Sequence, residues 1–174
     1  MTESVALVRP SVEYQDAYMA FYREWVGSGE DMVPWVISRD PSDFQAMVEW
    51  LLANETDERL PEGRVPDSTY WLITASGRVV GAVNIRHRLT EKLFQRGGHI
   101  GYGIRPSARR CGYATKLLAL ALEKARGLGI RDVLVVCDST NEASARTIVR
   151  NGGVPAESFT EEDGNVINRF WIRP

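Results

Sequence analysis

Apolar residues recur at helical spacing in three stretches of the chain. Tyr14, Ala17, Tyr18, Phe21, Tyr22 and Trp25 fall at steps of three and four and stop before Gly27. This spacing predicts a first helix with an aromatic buried stripe. Phe44, Met47, Val48, Leu51 and Leu52 repeat the pattern after Pro41-Ser42, a helix-start signal. The longest stripe is Ala114, Leu117, Leu118, Ala121, Leu122 and Ala125, which predicts a helix over 113–126 closed by Gly127 and Gly129. A shorter helix over 140–150 rests on Ala145, Ile148 and Val149. Its opening, Ser139-Thr140-Asn141-Glu142, reads as a capping box in which Ser139 caps and Glu142 reaches back.

Between the helices lie runs with strand character. YWLITA (70–75) and VVGAVNIRHR (79–88) are joined by Ser76-Gly77 and predict a hairpin. GHIGYGI (98–104), VLVVC (133–137) and VINRFWIR (166–173) predict three further strands. The run at 133–137 is apolar on both faces, as in a buried parallel strand. The polar, Pro-containing segment 54–68 reads as a surface loop. Strand 98–104, helix 113–126 and strand 133–137 form one βαβ unit with a right-handed crossover, and the other strands are antiparallel. The expected class is α/β, a mixed α+β sheet with helices on both faces.

Composition narrows the picture without changing it. At 174 residues the chain is expected to be a single domain over 1–174 that buries roughly 70% of its unfolded surface. Lys and Arg total 21 against 23 Asp and Glu, a net charge of −2, which argues against nucleic acid as a partner. No run is long enough for a membrane span, and MTESVALVRP lacks a signal-peptide core, so a soluble cytoplasmic protein is expected. Cys111 and Cys137 form neither a metal-ligand spacing nor a disulfide framework, and no metal is expected.

Candidate chemistry concentrates in one turn. Ile104-Arg-Pro-Ser-Ala-Arg-Arg-Cys-Gly-Tyr-Ala-Thr115 runs from a strand into the start of the long helix. The first amides of a helix have no intrahelical partner and its dipole favours anions there. Gly112 lets a phosphate approach the backbone, Arg109 and Arg110 supply positive charge, and no acid occupies the first turn. The segment is not a P-loop, because no Gly-Lys-Ser/Thr follows the required spacer. From the residues alone, a phosphate site and an ordinary solvated loop remain open.

Arg109-x-x-Gly112-x-Ala114 resembles the Gln/Arg-x-x-Gly-x-Gly/Ala signature of the GNAT superfamily of acetyl-CoA-dependent N-acetyltransferases. Ile104-Arg105-Pro106 is similar to the hydrophobic-x-Pro before that loop. Asn141-Glu-Ala-Ser-Ala-Arg with Asn151-Gly152-Gly153 resembles the family's Asn-bearing fourth helix and following glycine. STYWLI, GAVNIRH, GGHIGYGIRP and NGG extend the likeness over nearly the whole chain, toward a bacterial subgroup of predicted acetyltransferases. The resemblance implies a mostly antiparallel sheet with one splayed parallel pair, 98–104 and 133–137, and acetyl-CoA between those strands. It implies pantetheine pairing at Gly103, Ile104 and Arg105, with an N–H near Ile104 as oxyanion donor. It also implies pyrophosphate on the amides of Arg109, Arg110, Cys111, Gly112, Tyr113, Ala114 and Thr115, with Asn141 and Ser144 facing the cofactor arm.

The implied reaction is acetyl transfer to a primary amine of a small molecule or peptide, by direct attack in a ternary complex. Relatives usually donate a proton from a Tyr seven residues beyond the Asn, where this chain has Ile148. Ser144 and Tyr113 are the nearest substitutes for that acid. Where many relatives carry a Glu base, the first splayed strand has His99 and Tyr102, the catalytic candidates, on opposite faces unless the strand bulges. Asn84 and Arg86 share a face of strand 79–88 with Arg88, either solvated or reading a substrate carboxylate. The missing acid keeps a second reading open, a CoA-binding sensor or interaction module without turnover. The sequence leaves the oligomeric state undecided, a homodimer included.

Overall fold

The computed structural model describes residues 3–173. In chain order its elements are β1 (Val5–Val8), α1 (Gln15–Ser28), α2 (Phe44–Ala53), β2 (Asp67–Thr74), β3 (Val79–Arg86) and β4 (Ile100–Ile104). They continue with α3 (Tyr113–Gly127), β5 (Val133–Asp138), α4 (Glu142–Arg150), β6 (Val154–Pro155), β7 (Phe159–Thr160) and β8 (Val166–Ile172). Two sheets result. The first is antiparallel in the order β1-β2-β3-β4, and in the second β8 takes β5 on one edge and the short β6 and β7 on the other.

Alternation along β2 and β3 sorts side chains between two cores. Trp71, Val79 and Ala82 meet Tyr18, Phe21 and Trp25 of α1 and Phe44, Met47 and Leu51 of α2. Leu72, Val83 and Ile85 meet Leu117, Leu118 and Ala121 of α3. The aromatic stripe of α1 is therefore core, with Tyr18 stacked on Trp71 at 4.4 Å between centroids. This places α3 against one face of the first sheet and α1 with α2 against the other.

Several local expectations shift. The fourth helix begins at Glu142, not 140, and its cap is Asn141, whose side chain accepts from the Ser144 N–H at 3.0 Å. An Asn side chain in this position satisfies an otherwise orphaned first-turn amide, so Ser139 has no capping part. The expected surface loop ends earlier, since Asp67 and Ser68 are buried members of β2. The hairpin strand stops at Arg86, and Arg88 beyond it is exposed and paired with Asp57 at 2.8 Å. The β3–β4 register runs unbroken from Gly81↔Ile104 to Ile85↔Ile100, so β4 carries no bulge; the one irregularity lies between Leu72 and Ile73.

β4 and β5 share no ladder. They meet where the His99 N–H donates to Leu134 O at 2.7 Å and the Leu134 N–H donates to His99 Nδ1 at 2.9 Å. Three residues further along each strand, Tyr102 and Cys137 both lie against Ser144 of α4. The strands thus run in the same direction, with α4 seated where they part. The sheet opens beyond His99, and that opening is the entrance to the site.

Close packing on the opposite face fixes Gly103. A Cβ there would lie 2.1 Å from Val33 O and 2.7 Å from the Trp25 ring. The backbone carbonyl cannot yield without moving the α1–α2 connection. Gly103→Ala is expected to cost about 3 kcal/mol and lower Tm by on the order of 10 °C, measured by thermal denaturation. An unchanged Tm would show that the 29–34 connection is loose.

Candidate active site

Arg105 follows the last residue of β4, and its N–H donates to Val80 O at 2.9 Å, while His99 O accepts from the Arg86 N–H at 2.7 Å. Odd-numbered positions of β4 therefore turn their amides toward β3. By the antiparallel pattern, the N–H and C=O of Tyr102 and Ile104 face the open edge instead. An extended amide-bearing arm could pair with that edge as an added strand. The Arg109 Nε already uses it, donating to Ile104 O at 3.1 Å.

The chain then makes a 3₁₀ turn at Pro106–Ala108 and reaches Gly112, the N-cap of α3, at φ +81°. A side chain is strained in that left-handed conformation. Arg110 is also left-handed, at φ +61°, an uncommon state for a residue with a Cβ. No side chain caps α3, its first turn holds no acid, and the first backbone bond closing the helix is Lys116 N–H to Gly112 O at 3.3 Å. The amides of Tyr113, Ala114 and Thr115 are left to point outward at the positive end of a 15-residue helix. Strained backbone and uncapped donors at one spot match an anion cradle.

These parts line one cavity of about 400 Å³, within the usual size range of small-molecule sites. One wall is Tyr102, Gly103 and Ile104 of β4, the next is the 108–115 turn, and the third is α4 from Asn141 to Arg150. Four arginines line it (Arg109, Arg110, Arg146 and Arg150) and no carboxylate does. In a chain of net charge −2 this is a local concentration of positive charge. Sequence reasoning does not reach Arg146, Thr147 and Arg150. Their spacing from Ala143, i+3, i+4 and i+7, is the available signal, masked when only the apolar positions of α4 are followed.

At the inner end the Tyr102 hydroxyl lies 2.9 Å from Ser144 Oγ. Burial raises the Tyr102 pKa to about 12, so the phenol stays protonated across the range where the fold is expected to persist. Burial likewise pushes the Cys137 thiol up, and Ser144 partly offsets this. Ile148 is 0% exposed, its methyl and carbonyl held against Gly153. No hydroxyl at position 148 could reach the cavity without repacking.

Other expected site residues point elsewhere. Arg105 is buried, and its guanidinium donates to Glu24, Ala20 O and Val79 O, away from the cavity. Burial pushes the Glu24 carboxyl up, but the bonds from Arg105 and Ser107 win and hold it at about 2. Arg109 lines the cavity while its guanidinium bonds both Glu30 oxygens at 2.9 and 3.0 Å. Cys111 is exposed and contributes no lining.

Asn84 is 0% exposed and donates to Thr69 Oγ1, and Arg86 donates to Gly97 O and Gly98 O. Both face the side of the sheet opposite α3, with the Arg86 guanidinium and Pro34 both close to Gly101, and neither lines the cavity. They form neither a solvated face nor a carboxylate-reading wall: Asn84 ties β3 to the Thr69 side chain of β2, and Arg86 holds the 97–98 backbone.

His99 is 6% exposed. Because Nδ1 accepts the Leu134 N–H, the proton of the neutral ring must sit on Nε2, and no lone pair is left to accept a substrate proton. Burial, with Arg86 nearby, lowers its pKa to about 4. This geometry corrects the expectation that His99 serves as base: the ring is a strut between the sheets.

That strut has a pH signature. With the folded pKa depressed below 6.5, its contribution is intact above pH 6.5 and is lost as pH falls toward 4. The expected loss across that window is about 3 kcal/mol. His99→Asn keeps an acceptor for Leu134 but cannot titrate. Denaturant melts should therefore show a shallower acid slope in the variant, and identical slopes would remove His99 from the account.

A splayed strand edge leading to an uncapped, arginine-flanked helix start defines a site for an acyl donor with an extended arm and an anionic head. The chain belongs to the family described as "Acetyltransferase (GNAT) domain", whose model matches residues 6–154. It is an acetyl-CoA-dependent N-acetyltransferase of that family. No curated protein matches the chain significantly. Among solved structures, the fold is similar to RimL, a ribosomal L7/L12 α-N-protein acetyltransferase in complex with coenzyme A, at TM-score 0.70 and 14% identity, covering 99% of this chain and 95% of that one. It is similar to the microcin C7 self-immunity acetyltransferase MccE in complex with acetyl-CoA and AMP, at TM-score 0.69 and 13% identity, covering 99% and 94%. A variant of the spermidine N-acetyltransferase SpeG from Vibrio cholerae gives TM-score 0.64 and 14% identity, covering 98% and 94%. No described residues group as a metal site, and no described helix is long and apolar enough to cross a membrane.

Proposed function

We propose that the chain transfers acetyl from acetyl-CoA to a primary amine by direct attack, with Tyr102 and Ser144 serving the leaving thiolate. The observation that carries this reading is the hydroxyl pair at 2.9 Å at the inner end of a cavity that combines an open strand edge with an uncapped helix start. The amides of Gly112 to Thr115 fit the pyrophosphate, and the open edge at Tyr102 and Ile104 fits the pantetheine amides. The Ile104 N–H is the donor for the carbonyl oxygen as it gains charge.

In the transfer a C–N bond forms to the amine and the C–S bond breaks. The amine loses a proton and the thiolate gains one. A phenol held near 12 cannot readily surrender its proton to a thiolate whose conjugate thiol has an ordinary pKa of about 8.5. The pair therefore acts as a fixed donor that stabilises the thiolate, with net protonation relayed from solvent through Ser144. With the His99 lone pair occupied, the amine is deprotonated by solvent or arrives neutral. The rate is then expected to rise with pH along the acceptor's own ionisation, with the same profile in His99→Asn.

The cofactor assignment is tested by thermal shift. Millimolar CoA is expected to raise Tm by several degrees, since a ligand that binds only the native state stabilises it by mass action. A folded sample with no shift would overturn the assignment. Coupled thiol release with an amine panel tests the transfer, and CoA binding without release for any amine would favour the sensor reading.

A further inference from the structure

The cavity has two separate cationic features, and the proposed pyrophosphate site uses one of them. Along α4, Ala143, Arg146, Thr147 and Arg150 all line the cavity, at the i, i+3, i+4, i+7 spacing of one helix face. Arg146 and Arg150 are one turn apart, about 6 Å along the axis. Their only described carboxylate contact is Arg146 with Glu142, at 3.9 Å between exposed side chains, and Arg150 has none within salt-bridge distance. A pair that long and exposed holds little. Asn151 ties this end of α4 to the first turn of α3, its Nδ2 donating to Thr115 O at 3.2 Å and Thr147 O at 3.0 Å.

The geometry points to Arg146 and Arg150 as the binding site for the 3′-phosphate of the CoA ribose. This rests on the reading that the cavity holds CoA. CoA carries two anionic groups separated by a ribose: a pyrophosphate, and a phosphomonoester with about 1.5 to 2 negative charges at neutral pH. The uncapped amides of α3 and the 109–112 turn suit the first. The arginine pair on the facing wall, tied beside that helix start through Asn151, suits the second. Guanidinium forks grip phosphate oxygens in pairs, which an ammonium cannot do. Arg150 also complements the C-terminal dipole of α4, but that role does not require it to face the cavity. Arg109 is a weaker candidate because both Glu30 oxygens already hold it.

Titration calorimetry with CoA and with 3′-dephospho-CoA tests the assignment. The wild-type chain is expected to bind CoA at least about tenfold more tightly. In R146Q/R150Q the two ligands should bind equally, with dephospho-CoA affinity unchanged and Tm within a few degrees of wild type. R146K/R150K should recover part of the preference, since charge returns without the fork. Equal wild-type affinities would overturn the assignment, and so would an equal loss for both ligands in the double variant, which would put the arginines on the pyrophosphate. Failure of the wild type to bind either ligand would instead overturn the CoA reading beneath it.

Discussion

Ser144→Ala is expected to lower kcat by about a hundredfold while leaving the affinity for CoA within a few-fold of wild type. The reason lies in what the thiolate meets as the C–S bond breaks. At the parting of β4 and β5 the hydroxyl groups of Tyr102 and Ser144 line the cavity, bonded to each other, with Thr147 also against the Tyr102 phenol. Removing one preorganised hydrogen-bond donor to a developing anion typically costs a factor of about 10² to 10³. The lower end applies here, because a thiolate leaves more readily than an alkoxide or amide ion. Tyr102→Phe should give a loss of similar size, since it removes the same hydrogen bond from the other side. The double variant should be little worse than either single one, as residues that act as a unit are not additive. Stopped-flow or steady-state thiol release measures kcat, and calorimetry measures binding. Full kcat in both single variants would leave the thiolate to depart unaided.

Ile148→Tyr is not expected to restore a family-like acid. Ile148 is fully enclosed and pressed against Gly153, so a larger ring would strain the packing of α4 against the turn that follows it. Overpacking of this kind costs about 1–3 kcal/mol and places no hydroxyl in the cavity.

Why the sequence shows the frame and hides much of the chemistry follows from what periodicity encodes. Spacing of three and four residues identifies the buried stripe of a helix, and α1, α2 and α3 are legible from it within two residues at either end. The anion cradle is legible too, because an uncapped helix start and a glycine are local features. β1 is not, since four residues carry no pattern, and β6 and β7 are two residues each. His99 misleads because its partner, Leu134, lies 35 positions away and a side chain bonding a backbone amide leaves no trace in spacing. Arg105 adjoins the cradle in sequence yet turns to Glu24, 81 positions away, because neighbouring strand residues face opposite sides. Asn84 and Arg86 show which face they share but not that Asn84 is sealed from solvent there or that Arg86 bonds the 97–98 backbone. Arg146 and Arg150 look like the solvated side of a short helix until the cavity places them opposite the cradle.

Gly112→Asp is expected to weaken CoA binding by at least about a hundredfold with only a modest fall in stability. Gly112 sits at φ +81°, and nothing lies within 4 Å of the place a Cβ would take, so an aspartate meets conformational strain but no collision. Asp tolerates left-handed backbone better than most residues, and the cost to folding should be about 1 kcal/mol. It is also a good helix N-cap, which offsets part of that. Binding is affected far more. The new carboxylate would accept from the amides that the pyrophosphate needs and place negative charge where the ligand brings its own. Gly112→Ala separates the two effects: it carries the strain without the charge, and should lose only a small part of the affinity. Calorimetry with both variants, beside their melting curves, gives the comparison. Aspartate and alanine variants that bind CoA equally well would move the pyrophosphate off the start of α3.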